Sequence, residues 1–248
     1  MAAMCGRYAS TKSSADLATL FEALDETDGI LAPDYNVAPT DPVPIVRHSM
    51  SAAARVVTVA RWGLVPAWST TSAGAARMIN ARVETVVTSR AYARPFAERR
   101  CLIPADGWYE WRRRSDGGRQ AYYMTRPEGL AFAGVWTVWA PPRATPPATE
   151  TERLITFSVL TMPAQAHLAQ VHDRMPLVVE PIHWEEWLTS GEPAGLLRPP
   201  SPEYAAAIEV RPVSPAVGNV RNDGPDLIRT VESSLTESTV DWSNSTLF

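Results

Sequence analysis

Short runs of β-branched and aromatic residues, set apart by turn-forming residues, leave this chain little room for a helical fold. Val43 to Val46, Arg55 to Trp62, Arg100 to Trp111, Ala121 to Met124, Leu130 to Trp139 and Leu154 to Thr161 all read as strands. Ser115-Asp116-Gly117-Gly118 is a turn within this series. Tyr35 to Pro44 reads as extended, because proline and the residue before it disfavour helix. The helical stretches are short. Residues 14–24 place Leu17, Leu20, Phe21 and Leu24 on one stripe. Residues 86–96 read as a helix ended by Pro95, 164–171 as another, and 182–190 as one opened by Pro181. Residues 172–176 form a turn into the strand Leu177-Val178-Val179. The expected class is α+β: one domain, residues 5–231, with a curved, barrel-like mixed β-sheet core and a few short helices. Residues 141–152 are expected to be a floppy loop and 232–248, rich in Ser and Thr, a loosely ordered tail.

A chain of 248 residues can bury one sizeable core. No apolar run approaches the roughly 20 residues of a membrane helix, and the first residues lack the apolar stretch of a secretory signal. The expectation is a cytoplasmic protein without membrane contact. Cys5 and Cys101 cannot build a disulfide framework and read as free thiols. There is no Gly-rich phosphate loop and no Cys-x-x-Cys pair, and His167 and His172 are five apart, so one helix face would not present both. Neither a metal nor another cofactor is expected. The net charge of −4 argues against a nucleic-acid partner unless the basic residues gather in one place.

Two segments carry unusual chemistry. Cys5 stands almost at the start, within Cys-Gly-Arg-Tyr. As an internal residue it would be a small apolar strand residue. With residues 1–4 removed, it would carry an α-amine with a pKa near 8 beside a thiol. That pair can condense with an aldehyde into a thiazolidine ring, which an internal cysteine, whose nitrogen is an amide, cannot do. In Trp108-Tyr109-Glu110-Trp111, alternation turns Trp108 and Glu110 to one face of a strand and Tyr109 and Trp111 to the other. A carboxylate among aromatics is partly desolvated, which raises its pKa and suits it to proton transfer; an exposed edge-strand Glu is the plainer reading. If the segment from Asn80 is extended, Asn80, Arg82 and Glu84 share a face.

Several blocks in order resemble the SOS response-associated peptidase (SRAP) family, over about Cys5 to Arg229. They are Met4-Cys5-Gly6-Arg7-Tyr8, Tyr35-Asn36-Val37-Ala38-Pro39, Trp62-Gly63-Leu64-Val65-Pro66-Ala67-Trp68 and residues 79–85. Cys101 to Trp111, Thr161, His172-Asp173-Arg174-Met175-Pro176 and Arg221-Asn222-Asp223-Gly224-Pro225 continue the series. The resemblance implies a DNA-damage factor that crosslinks to abasic sites in single-stranded DNA, particularly at junctions, and acts as a monomer in the cytoplasm or on the nucleoid. It assigns the nucleophile to Cys5, positioning of the abasic site to Asn80, acid/base work to Glu110 and proton transfer to His172. It suggests Arg7, Asn36, Arg82 and Arg174 as DNA ligands and Trp68 as a base-stacking platform. The family usually begins Met-Cys, whereas Met1-Ala2-Ala3 precede Met4 here. Either translation starts at Met4 or the protein cleaves itself after Met4, as the peptidase label implies. Two other readings stay open. A cysteine peptidase acting on other proteins would need no free amine. A non-catalytic single-strand DNA-binding module would keep every activity in Cys5→Ala.

Overall fold

The computed structural model describes residues 6–141 and 153–232. Cys5 and the rest of the leader, most of the 141–152 loop and the tail beyond Glu232 lie outside the described residues.

The strand-like runs assemble into one mixed sheet. Its strands are β1 (Tyr8–Ser10), β2 (Ala23–Asp25), β3 (Asp34–Val37), β4 (Pro42–Ser49), β5 (Ala54–Trp62) and β6 (Asn80–Arg82). They continue as β7 (Arg100–Arg113), β8 (Arg119–Trp139), β9 (Leu154–Pro163), β10 (Arg174–Pro176) and β11 (Glu209–Val213). The main path runs β11-β8-β9-β5-β4-β7-β1-β3, and β7 also pairs with β8. That extra pairing makes a ring of hydrogen-bonded strands, β8-β9-β5-β4-β7, so the sheet is barrel-like without being strictly closed. Among the described residues, four short α-helices decorate it: α1 (Ser14–Leu20), α2 (Ala93–Glu98), α3 (Trp184–Thr189) and α4 (Pro202–Ala206). The α+β, barrel-like expectation holds.

The inward faces of the ring carry the main core. Tyr8, Trp62, Trp108 and Phe132 are fully buried and meet edge to face, with Tyr8 and Trp62 centroids 5.1 Å apart and Trp108 and Phe132 5.9 Å apart. The Trp62 indole N–H donates to the Ile79 carbonyl at 2.9 Å, so burial leaves no orphan donor there. On the other face of β7, Tyr109 packs with Tyr123, Val213, Val217 and Leu227 in a second cluster. The alternation read from the sequence therefore sorts Trp108 and Tyr109 into different cores.

Two long strands bend rather than run straight. β7 and β8 pair as Ala105↔Leu130 and then as Gly107↔Thr125, so the segment from Arg126 to Gly129 bulges out opposite Asp106. Pro127 cannot donate to a ladder and Gly129 has φ +83°, which suits both to a bulge. This is why Ala121–Met124 and Leu130–Trp139 read as separate strands yet belong to one. Gly107 sits at the bend, where an added Cβ would lie 2.4 Å from the Met124 carbonyl oxygen and 2.5 Å from the Tyr123 ring. Gly107→Ala should therefore cost about 2–3 kcal/mol of stability. On a chain of this length that lowers the melting temperature by roughly 5–10 °C, measurable by calorimetry; an unchanged melting temperature would show that the strands can separate there at no cost.

The helices depart most from expectation. Leu17 and Phe21 are buried as the stripe requires, but α1 stops at Leu20 and Leu24 lies on β2, 54% exposed. Glu22, at φ +49°, breaks the helix. Pro95 does not end a helix over 86–96. It is the third residue of α2, where the missing N–H would have had no intrahelical partner. Residues 83–88 and 90–92 are turns instead. The 164–171 helix is a 3-10 segment, Ala166–Gln170, and 182–190 is a 3-10 turn leading into α3. Val178 makes only an isolated bridge to Phe132, and the strand of this region is β10.

Candidate functional site

A cleft of about 600 Å³ opens beside one end of the ring, lined among others by Gly6, Arg7, Pro39, Glu110, His172 and Gly218. They arrive from five separate parts of the chain, Gly6 and Arg7 together, so the tertiary fold assembles the cleft. β1 runs antiparallel to β7 with Tyr8 opposite Trp108, and the Tyr109 N–H donates to the Arg7 carbonyl at 3.0 Å. Continued two residues back, the same register brings Gly6 level with Glu110. Glu110 is 1% exposed and sits two residues along β7 from the core Trp108, hence on the inner face. Across the ladder it faces Tyr122.

His172 reaches the cleft from the turn before β10. Its Nδ1 lies 3.0 Å from the Arg174 backbone N–H and 3.3 Å from the Arg174 carbonyl. The Asp173 carboxylate lies 3.0 Å from Nδ1, a partner for the protonated ring. The turn thus fixes the ring's position through Nδ1.

Arg7 is braced from below. Its Nη1 donates to the Asn36 side-chain oxygen at 2.7 Å and to the Val217 carbonyl at 2.9 Å. Burial pushes its pKa down, opposed by Asp41 and Asp34. Burial likewise pushes the Asp34 carboxyl up, with Asp223 and Asp41 adding to it. Asn36 is 3% exposed and donates both amide hydrogens, to the Asn219 and Asn222 carbonyls. It ties β3 to the 217–222 loop and orients Arg7, a bracing role that the sequence does not reveal.

The remaining residues are placed around this centre. Asn80 opens β6, which pairs parallel with β9, and its carbonyl accepts from the Tyr92 hydroxyl at 3.2 Å. Arg82 ends β6 exposed to solvent. The Arg174 guanidinium forks onto both oxygens of Glu84 and also donates to the Thr161 carbonyl at 2.6 Å. That pairing holds the Glu84 carboxyl below its usual range. Trp68 is 58% exposed on a loop, with the Arg90 guanidinium 4.6 Å above its ring. Glu110, His172 and Arg7 therefore share one cleft, whereas Asn80, Arg82, Arg174 and Trp68 stand on neighbouring segments. Trp111, which alternation turns to the face opposite Glu110, also lines the cleft, as do Arg113 and Arg119, which were not picked out from the sequence. Cys101 is no second nucleophile: it is fully buried, and desolvation pushes its thiol pKa far up. Among the described residues no cluster of His, Cys, Asp and Glu could hold a metal, and no helix is long and apolar enough to cross a membrane.

Comparison with known proteins gives this geometry a context. The family model described as SOS response associated peptidase (SRAP) matches residues 4–220. The abasic site processing protein YedK of Escherichia coli K12 is 30% identical over 244 residues, covering 92% of this chain and all of its own. The abasic site processing protein YoqW of Bacillus subtilis is 30% identical over 231 residues, covering 91% of this chain and 99% of its own. Among solved structures, a protein of Bacteroides thetaiotaomicron superposes with a TM-score of 0.75 at 21% identity, covering 92% of this chain and all of that one. That last likeness concerns the fold.

Proposed function

Because the chain belongs to the SOS response associated peptidase family, we propose that it captures abasic sites in single-stranded DNA through a covalent bond to Cys5. The observation that carries this reading is the position of Gly6. It lines the same cleft as the buried Glu110 and His172, and Cys5 is joined to it by one peptide bond. The similarity to abasic site processing proteins supports the substrate class.

The chemistry needs Cys5 as first residue, either by initiation at Met4 and loss of that methionine or by cleavage after Met4. An abasic deoxyribose opens to an aldehyde. The Cys5 amine adds to C1′, and water leaves to give an imine. The Cys5 sulfur then bonds to the same carbon and its proton passes to nitrogen, closing a thiazolidine with net loss of one water. Glu110 and His172 move protons during addition and dehydration. Asn80 holds the sugar or its phosphate. Arg7, Arg82 and Arg174 hold the backbone through charge-assisted bonds, with Arg7 set by Asn36. Trp68 stacks on an unpaired base. The protein acts as a monomer in the cytoplasm, at single-stranded DNA including strand junctions.

The test is a denaturing gel of the protein beginning at Cys5 with an abasic oligonucleotide and with the intact oligonucleotide. A heat-stable shifted band should form with the abasic strand alone. Glu110→Gln, a near-isostere in a buried site, should slow its appearance by about a hundredfold or more while the melting temperature stays high. A band forming at the unaltered rate in that variant would remove Glu110 from the mechanism.

A further inference from the structure

The β7–β8 ribbon outruns its neighbours. β1 pairs with β7 at Gly107 and Trp108, and β11 leaves β8 at Ala121. Arg112↔Gln120 and Arg113↔Arg119 extend the ribbon past both, and the Gln120 side chain reaches back to the Val213 carbonyl. This tip carries Arg112, Arg113, Arg114 and Arg119 against the single acidic residue Asp116, in a chain of net charge −4. Arg114 takes that aspartate at 3.2 Å. Arg113 and Arg119 are exposed, stand directly opposite each other in register and both line the cleft.

Like charges placed directly opposite on a strand pair repel and destabilise it. Acidic neighbours would relieve that strain, yet none of the ion pairs among the described residues involves Arg113 or Arg119. A bound anion between them would relieve it as well. Glu110 lies three residues back along the same strand, about 10 Å of backbone and on the other side of the pleat, and both residues line the one cleft. A phosphate held at the ribbon tip is thus one or two nucleotides' reach from a sugar beside Glu110.

We propose that Arg113 and Arg119 form a phosphate clamp for the DNA strand flanking the abasic nucleotide. The clamp rests on the reading of the cleft given above, and it supplies the local positive charge that the chain's net charge conceals. Guanidinium forks bind phosphate oxygens in pairs and read no base, so the clamp holds strands of any sequence.

The experiment compares Arg113→Gln/Arg119→Gln with the unaltered protein and with Arg94→Gln, which removes an exposed α2 arginine paired to Glu98. Binding of a fluorescent, lesion-free single-stranded oligonucleotide is measured across a salt series. Capture of the same strand with an abasic site is followed on denaturing gels. The double variant should lose about 0.7 of salt slope for each phosphate contact removed, about 1.4 in all, with affinity at low salt down tenfold or more. Its capture of the abasic strand at sub-saturating DNA should slow in step with the lost affinity, and its melting temperature should be equal or higher, because repulsion is relieved. Arg94→Gln should change neither slope nor affinity. Arg113→Lys/Arg119→Lys keeps both charges and should keep the slope. An unchanged slope in the glutamine double variant overturns the clamp, and leaves an acidic protein partner as the occupant of the ribbon. If the unaltered protein binds DNA with the two-arginine slope but captures no abasic strand, the capture reading fails and the clamp stands.

Discussion

Cys5→Ala protein should form no heat-stable crosslink to abasic DNA. The expected loss is complete, because no other group among the described residues offers an amine and a thiol to one carbon. Cys101, the remaining cysteine, is sealed in the core and held protonated by desolvation. The variant keeps its α-amine, so borohydride should still trap an imine. Cys5→Ser should behave similarly, with an oxazolidine that reverses more readily than the sulfur ring. Adding one uncleavable residue before Cys5 turns the amine into an amide and should abolish both the stable and the trappable product. Denaturing gels run with and without borohydride separate these cases. A heat-stable crosslink surviving in Cys5→Ala, or in the blocked-amine form, would place the nucleophile elsewhere.

Arg100→Met should be the most destabilising substitution considered, costing at least about 3 kcal/mol and roughly 10 °C of melting temperature. Arg100 is 5% exposed and meets no carboxylate among the described residues. Its guanidinium donates instead to four backbone carbonyls: Phe96 and Ala97 at 2.8 and 2.9 Å, Trp187 at 2.6 Å and Ser190 at 2.6 Å. These carbonyls belong to the ends of α2 and α3, where helices leave acceptors unused and the macrodipole is negative. One buried cation therefore satisfies two helix ends and fastens them to β7. Burial pushes its pKa down, the mark of a charge removed from water. Methionine matches the length but strands the four acceptors. Arg100→Lys should recover part of the loss, since an ammonium cannot span all four positions. Thermal unfolding of the three proteins checks this, and Arg100→Met melting within about 2 °C of the unaltered chain would show that water replaces the guanidinium without cost.

Arg100 also marks where sequence reading stops. At the head of a strand run it looks like a solvated end residue, and nothing in its neighbours announces the α2 and α3 carbonyls, which come from 3 to 90 residues away. The sheet was legible because period-2 patterning is local, so Trp108 and Tyr109 fall in the two cores that alternation assigns. The helices were less legible. Leu24 fits the helical stripe, but Glu22 at positive φ ends α1 before it, and Pro95 could be taken as a stop or as a first-turn residue. At the site, the resemblance picked out Glu110, His172 and Arg7, and these meet in the cleft. Asn36 was singled out as a DNA ligand, while its hydrogen bonds brace Arg7 and the 217–222 loop. Arg113 and Arg119 were passed over because their opposition across the ribbon exists only once the hairpin register is known.

The central claim is that the amine and thiol of Cys5 close a ring on the abasic sugar, and intact mass spectrometry of the protein mixed with an abasic single strand tests it most directly. The expected product is a species equal to the protein beginning at Cys5 plus the oligonucleotide minus one water, with the modification on the N-terminal peptide after digestion, and no such species with intact DNA. An adduct mapped to any other peptide, or an unmodified protein after prolonged incubation with the abasic strand, would contradict it.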